Sequence, residues 1–269
     1  MSDFLQTMAS HSAARAAAVS TSFSSADFDK PVVPLTLGTF DVIAEIKDRS
    51  PAEGVLRAPN SYGDSDRNSR ARAYAAGGAA AISVLTEPSR FDGELAHLEA
   101  VVAAVPDTPV MRKDFLVEPV QILEARKAGA SGVLLIAAML DDTKLREMLD
   151  CAWEHDLFVL LESFDEEDLH RSSALLDDSV DQDKAEAGQL LVGVNTRNLR
   201  TLDVDPDRLE NLSPDLPNAR CVAESGLQAP EDAARVTAWG YRMALVGTAL
   251  MRSNDPAALI AAMREAGAA

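Results

Sequence analysis

Six residues of this chain combine side-chain type and position in a way that suits proton transfer. Glu45, Lys47, Lys113, Glu162, Asn195 and Glu224 each stand at or beside the carboxyl end of a short apolar run. In the first run, VIAEIKDRSP (42–51), Glu45 and Lys47 are two apart, so in a strand both point to one face. If Ala44 and Ile46 pack outward under a helix, a carboxylate and an ammonium face together into an interior that normally excludes charge. Three carboxylates and two lysines gathered at one opening cost too much desolvation to serve as scaffold alone. Carboxylates paired beside lysines divide the roles of acid and base once their proton affinities are pushed apart.

The elements that must position these groups follow from the apolar pattern. Short runs recur at 42–47, 79–85, 109–113, 132–137, 157–163, 190–195, 220–225 and 242–247. Amphipathic stretches such as EPVQILEARKAG (118–129), DDTKLREMLDCAWEH (141–155) and APEDAARVTAWG (229–240) separate them, several ending on glycine as helices do. Eight alternating units with strands apolar on both faces predict a parallel sheet closed into a (β/α)8, or TIM, barrel. An open doubly wound sheet is the runner-up, but it wants a glycine-rich phosphate turn after the first strand, where this chain has DRSPAEG. Residues 1–38 read as an N-terminal helical extension that packs across a barrel end or over the site, and 39–269 as the barrel, one domain overall. Two polar stretches lack periodicity, Leu56 to Arg70 and Asp177 to Gln189. The first would lie on the catalytic face and is a candidate lid.

In such barrels the loops after the last two strands commonly hold phosphate. Ser225 with Gly226, and Gly247 with Thr248, offer backbone N–H groups and hydroxyls there. That matters because the net charge of −18 disfavours nucleic acid and anionic membranes as partners and leaves an anionic substrate to local donors. The two cysteines, Cys151 and Cys221, provide neither a disulfide framework nor a metal motif and read as core residues. None of the four histidines stands at a strand end beside another candidate ligand, so no metal is expected. Without a long uncharged apolar run, the expected location is the cytoplasm.

Read together, VIAEIKDRSP, GGAAAISVLTEPSRFDG, RKDFLVEPVQILEARKAGASGVLLIAAML, LVGVNTRNLRTLDVD, ESGL and LVGTALM resemble indole-3-glycerol phosphate synthase from about residue 40 to the end. The order RKDFLV, NTRNL, AESG makes the resemblance specific. It implies conversion of 1-(2-carboxyphenylamino)-1-deoxyribulose 5-phosphate to indole-3-glycerol phosphate with loss of CO2 and water, a carboxy-lyase step of tryptophan biosynthesis that uses no cofactor. By that resemblance Lys113 is the general acid of ring closure, and Glu162 and Glu45 serve the proton transfers of closure and dehydration. Lys47 meets the substrate carboxylate or phosphate, and Asn195, Arg197, Glu224 and Ser225 orient the substrate. Ser50, Gly226, Gly247 and Thr248 surround the phosphate, while Pro51, Phe91, Phe115, Leu134 and Leu199 form an apolar slot for the ring. The implied enzyme acts on a small phosphorylated aromatic compound as a monomer, with association with other enzymes of the pathway open.

Some positions depart from the family pattern: Asp48 and Arg49 follow the motif lysine, Ser163 and Phe164 follow Glu162, and SDRNSRARAY before Tyr74 is unusually polar. Two rival readings stay open. One is a paralogous phosphate-binding barrel enzyme with an altered substrate; a phosphoribosyl isomerase would rely on an aspartate pair at strand ends that this chain lacks. The other is an idle barrel serving as a module of a pathway complex, which loss of Lys113 or Glu162 would have favoured.

Overall fold

Burial on both faces makes each apolar run a strand. In the computed structural model, which describes residues 3–19, 22–50, 54–56 and 64–269, eight parallel strands close on one another. They are β1 (Asp41–Ile46), β2 (Ala81–Leu85), β3 (Val110–Lys113), β4 (Gly132–Ile136), β5 (Phe158–Ser163), β6 (Leu190–Asn195), β7 (Arg220–Glu224) and β8 (Met243–Val246). Each pairs with the next in sequence and β1 pairs with β8, so no sheet edge is left in the barrel. The expected (β/α)8 barrel is the fold.

Nine helices of eight or more residues are present among the described residues: α1 (Asp3–Ala17), α2 (Asp64–Ala76), α3 (Leu95–Ala104), α4 (Pro119–Ala128), α5 (Asp142–Glu154), α6 (Glu166–Leu175), α7 (Ser179–Glu186), α8 (Pro230–Ala238) and α9 (Pro256–Ala268). Their ends follow local chemistry. Proline begins α4, α8 and α9, Asp141 and Asp165 cap α5 and α6 through their carboxylates, and α4 closes on Gly129 in the left-handed region at φ 96°.

The two polar stretches contain helices that their composition conceals. Residues 64–70 begin α2, so the expected Leu56 to Arg70 loop is shorter than its sequence suggests; Leu56 is buried and 57–63 lie outside the described residues. Helix α2 buries Arg67, Ala71 and Tyr74, a helical face whose first member is charged and is neutralised by Asp48 at 2.8 Å. Within Asp177 to Gln189, α7 buries Asp181, which Arg146 grips with bonds of 3.0 and 2.7 Å and the Trp153 indole N–H meets at 3.1 Å. A charged residue at a core position breaks the apolar period without breaking the helix. Of the cysteines, Cys221 is a core residue and Cys151 is only half-buried.

Helix α1 buries Leu5 and Met8 and lies over the carboxyl ends of the strands, tied there by charge. Arg15 donates two bonds, 2.8 and 2.7 Å, to the buried Asp114 carboxylate, which also accepts from the Thr86 hydroxyl, the Arg112 guanidinium and the Phe115 N–H. Gln121 reaches the Ser12 hydroxyl at 2.8 Å.

Burial alone would raise the Asp114 carboxyl, but Arg15 and Arg112 outweigh it and hold the pKa at about 2, against 3.8 for the free group. Its folded value is depressed, so the stabilisation is present above about pH 4 and is lost as pH falls toward 2; the shift corresponds to about 2 kcal/mol. Arg15→Ala should lower stability by ~2 kcal/mol at neutral pH and flatten the loss between about pH 4 and pH 2. Chemical denaturation across that range checks both effects, and parallel wild-type and variant curves would exclude the anchor.

Candidate active site

At the carboxyl end of the barrel the inward-facing side chains border a cavity of about 790 Å3. Strand register fixes which residues share this face. Asn195 pairs with Glu224, and Glu162 with Gly193, so side chains from β5, β6 and β7 arrive side by side. Glu45, Lys47, Lys113, Glu162, Asn195 and Glu224 all border the cavity. Phe91, Phe115, Leu134, Arg197, Leu199, Ser225, Gly226, Gly247 and Thr248 do so as well. The backbone of Ser50 ends a two-residue strand that pairs with 54–55, while its side chain and the whole of Pro51 lie outside what the structure describes.

The charged groups form two linked clusters. The Lys47 ammonium lies 2.7 Å from the Glu45 carboxylate, and the Lys113 ammonium lies 3.2 Å from Glu162 and 3.3 Å from Glu224. Glu45, Glu162 and Glu224 are only 3%, 1% and 1% exposed. Burial would raise the Glu45 pKa, yet Lys47 and Lys113 outweigh it and hold the group below its ordinary value. Burial likewise opposes the charge of Lys113, but Glu162, Glu224 and Glu45 together keep it protonated. For Glu224 the balance falls the other way: burial, then the adjoining Glu162 carboxyl, raise it well above the ordinary value against the pull of Lys113. The site therefore holds a carboxylate kept charged at Glu45 and a carboxyl that favours its proton at Glu224, joined through one ammonium.

Space for these groups comes from absent side chains. A Cβ on Gly193 would collide with the Glu224 carboxylate, and one on Gly247 with Glu45 and, at 2.9 Å, with the Lys47 nitrogen. Gly247 thus clears room for the ion pair. Glu224 is followed by Ser225 and Gly226, both left-handed at φ 67° and 84°, which turns the chain sharply over the cavity. The Ser225 hydroxyl donates to Asn195 Oδ1 at 2.8 Å, and the same oxygen accepts the Arg197 N–H at 2.9 Å. With its oxygen doubly engaged, the Asn195 amide group is left to donate into the cavity.

The sequence did not point to several further cavity residues. Phe4 arrives from α1 and meets Phe115 edge-on at 6.0 Å between ring centroids, while Phe91 stands 6.3 Å from the same ring. Its distance along the chain from every motif hid it. Leu202 and Val204 also border the cavity while half-exposed. Gly193 carried the one signal that could have been followed, a glycine inside an otherwise apolar strand. Away from the strand ends, His170 in α6 comes together with Glu166 and Asp215, ligand atoms within 4.8 Å of one another, and none of the three borders the cavity. Among the described residues no helix is long and apolar enough to cross a membrane.

Comparison with known proteins agrees with this geometry. Among solved structures, 3-hexulose-6-phosphate synthase from Salmonella typhimurium superposes with a TM-score of 0.62 at 16% identity, covering 85% of this chain and 98% of that one. The tryptophan synthase alpha subunit of Legionella pneumophila gives 0.54 at 16% identity over 85% of this chain and 92% of its own. These likenesses show the barrel alone. Relatives named indole-3-glycerol phosphate synthase reach much higher identity: 48% over 235 residues in a Nocardioides species, 86% of this chain and 84% of the relative. The Methanopyrus kandleri protein is 45% identical over 229 residues, 84% of this chain and 83% of its own. The family model described as indole-3-glycerol phosphate synthase matches residues 6–263, taking in the N-terminal helix that the sequence motifs did not reach. With that match running through every strand that carries a charged cavity residue, the chain belongs to the indole-3-glycerol phosphate synthase family.

Proposed function

We propose that this protein catalyses ring closure, decarboxylation and dehydration of 1-(2-carboxyphenylamino)-1-deoxyribulose 5-phosphate, giving indole-3-glycerol phosphate. The observation that carries this reading is the Lys113 ammonium held between Glu162 and Glu224 at the end of a cavity with an aromatic wall. In the first step the phenyl carbon bearing the carboxylate attacks the ketone carbon, and Lys113 protonates the oxygen on which negative charge develops. An alkoxide is a far stronger base than a lysine amine, so the transfer runs downhill although three carboxylates favour the lysine's proton. Carbon dioxide then leaves with its bonding electrons returning to the ring. Departure of the hydroxyl as water needs a second proton, and completing the indole removes one from the neighbouring carbon of the new ring. Glu162 and Glu45 serve these transfers, Glu162 from its place on Lys113 and Glu45 as a carboxylate kept charged by Lys47. Each step is a proton transfer, a carbon–carbon bond change or the loss of a protonated hydroxyl as water, so the chemistry asks for no metal or organic cofactor.

Binding follows the same map. Phe91, Phe115, Leu134 and Leu199 suit the ring, with Pro51 assigned to that slot from the motif alone. Ser225, Gly226, Gly247 and Thr248 suit the phosphate, with Ser50 likewise assigned. Lys47 and Arg197 suit the anionic groups, and Asn195 and Glu224 orient the sugar. We further take residues 1–38 as an extension of the barrel domain 39–269, and the enzyme as a cytoplasmic monomer able to associate with other tryptophan-pathway enzymes.

Lys113→Met should lower kcat by on the order of 10²-fold or more with a much smaller change in KM, because the ammonium matters more in the transition state than in the ground state. Indole fluorescence on adding the carboxyphenylamino substrate is the assay. A variant with near-native kcat and a raised KM would assign Lys113 to binding and leave Lys47 as the acid.

Glu224→Gln tests the proton on that carboxyl. The folded pKa is raised, so its contribution to stability is present at low pH and is lost as pH rises from the ordinary value, 4.5, through the raised one. Glutamine imitates the protonated form. The variant should therefore gain in Tm relative to wild type between about pH 5 and about pH 8 while kcat falls. Equal shifts at both pH values would show that Glu224 carries no unusual proton.

A further inference from the structure

The segment after β6 is a small hairpin with no buried residue between 197 and 204. Arg197 bridges Val204, the Asn198 N–H donates to Asp203 O at 2.9 Å, and the Leu202 N–H donates to Asn198 O at 2.6 Å. One face borders the cavity through Arg197, Leu199, Leu202 and Val204. Leu202 has φ 66°, a left-handed conformation that a branched side chain adopts at a cost, and it is 47% exposed. Apolar burial therefore neither drives the turn nor offsets its strain. Such a conformation persists only where surrounding structure over-determines it.

What braces the hairpin is Arg200. Its guanidinium donates to Asp168 at 2.9 and 2.6 Å and to Asp165, and it lies over the Phe164 ring at 5.8 Å. Asp165 caps α6 and Asp168 accepts the Phe164 N–H at 3.0 Å, so all three anchors belong to the junction that directly follows Glu162 on β5. On its other side the Arg200 N–H donates to Asn198 Oδ1 at 2.8 Å, inside the turn. A planar fork gripped by two carboxylates and an aromatic face fixes direction as well as distance.

We propose that Arg200 is a positioning residue: by locking the 198–203 turn to Asp165, Asp168 and Phe164, it holds Leu202 over the cavity as an apolar contact to the bound substrate. The inference rests on the synthase reading for the identity of that substrate. An unliganded chain has no evident use for a strained leucine facing open space, whereas a ligand with an aromatic ring covers it and recovers the cost on binding. The contact is made to ground and transition state alike, so its loss should appear in KM.

The test compares Arg200→Gln, Arg200→Lys and Leu202→Ala with wild type by steady-state kinetics and amide hydrogen exchange. Arg200→Gln should raise KM about 10-fold with kcat within about threefold, and should lose exchange protection at the Leu202 and Asn198 amides. Arg200→Lys, which keeps the charge but not the fork, should fall between the two. Leu202→Ala should raise KM while that protection stays. Protection retained in Arg200→Gln overturns the lock whatever the activity, and lost protection with unchanged KM overturns the positioning role. Unchanged KM in Leu202→Ala overturns the contact. A wild type with no turnover of the carboxyphenylamino substrate overturns the synthase reading, and the exchange data still judge the lock by themselves.

Discussion

One ammonium shared by two buried carboxyls is the interaction on which the rest of this structure depends. Lys113, Glu162 and Glu224 come from β3, β5 and β7, none adjacent to another, so the cluster exists only once the barrel has closed. Each group would be costly alone in that setting, and each is made tolerable by the others. The arrangement also demands emptiness at chosen points. Gly193, beside Glu162 in register, leaves the volume that the Glu224 carboxylate fills, and Gly247 does the same for Glu45 and Lys47. Layers of leucine, isoleucine and valine beneath the site supply the packing from which this strained charge arrangement is held.

Support is divided according to the precision each task needs. The acid–base groups sit on strands, where backbone hydrogen bonds on both sides limit movement, while the groups assigned to binding are mainly on the loops that follow. Asp114 links the two tiers. It follows Lys113 directly, takes bonds from Arg15, Arg112 and Thr86, and so joins the end of β3 to the helix that brings Phe4 into the cavity wall. The N-terminal helix is thereby coupled to the strand that carries the proposed acid.

The barrel was legible because its strands are apolar on both faces and appear as uninterrupted runs, each within about two residues of the observed bounds. The site was legible for a related reason: a glutamate or lysine that ends such a run is conspicuous. All six residues singled out for chemistry border the cavity, as do all nine of those assigned to binding whose side chains are described. What stayed hidden was hidden by partnership across the chain. Arg67 in α2 and Asp181 in α7 occupy core positions only because Asp48 and Arg146 neutralise them, so two helices read as polar loops. Two features marked as departures from the family pattern, Asp48 and the polar stretch before Tyr74, turn out to be the two ends of one ion pair. Phe164, another departure, is the ring under Arg200. Periodicity sees neighbours along the chain and is blind to such pairs.

The acidity of the whole chain is compatible with an anionic substrate because the two act over different distances. At physiological ionic strength a surface charge is largely screened beyond about 8 Å, while a cation in contact inside a cavity is screened much less. Lys47, Lys113 and Arg197 border the cavity, and Glu45 is the carboxylate already matched to Lys47. If Glu224 keeps its proton, one negative charge is removed from the wall that an incoming carboxylate and phosphate must face. The same desolvation that favours the proton on that buried carboxyl then keeps the cavity from repelling an incoming anion. The acidic exterior acts on approach, where it opposes the encounter, and the cavity decides what happens after contact.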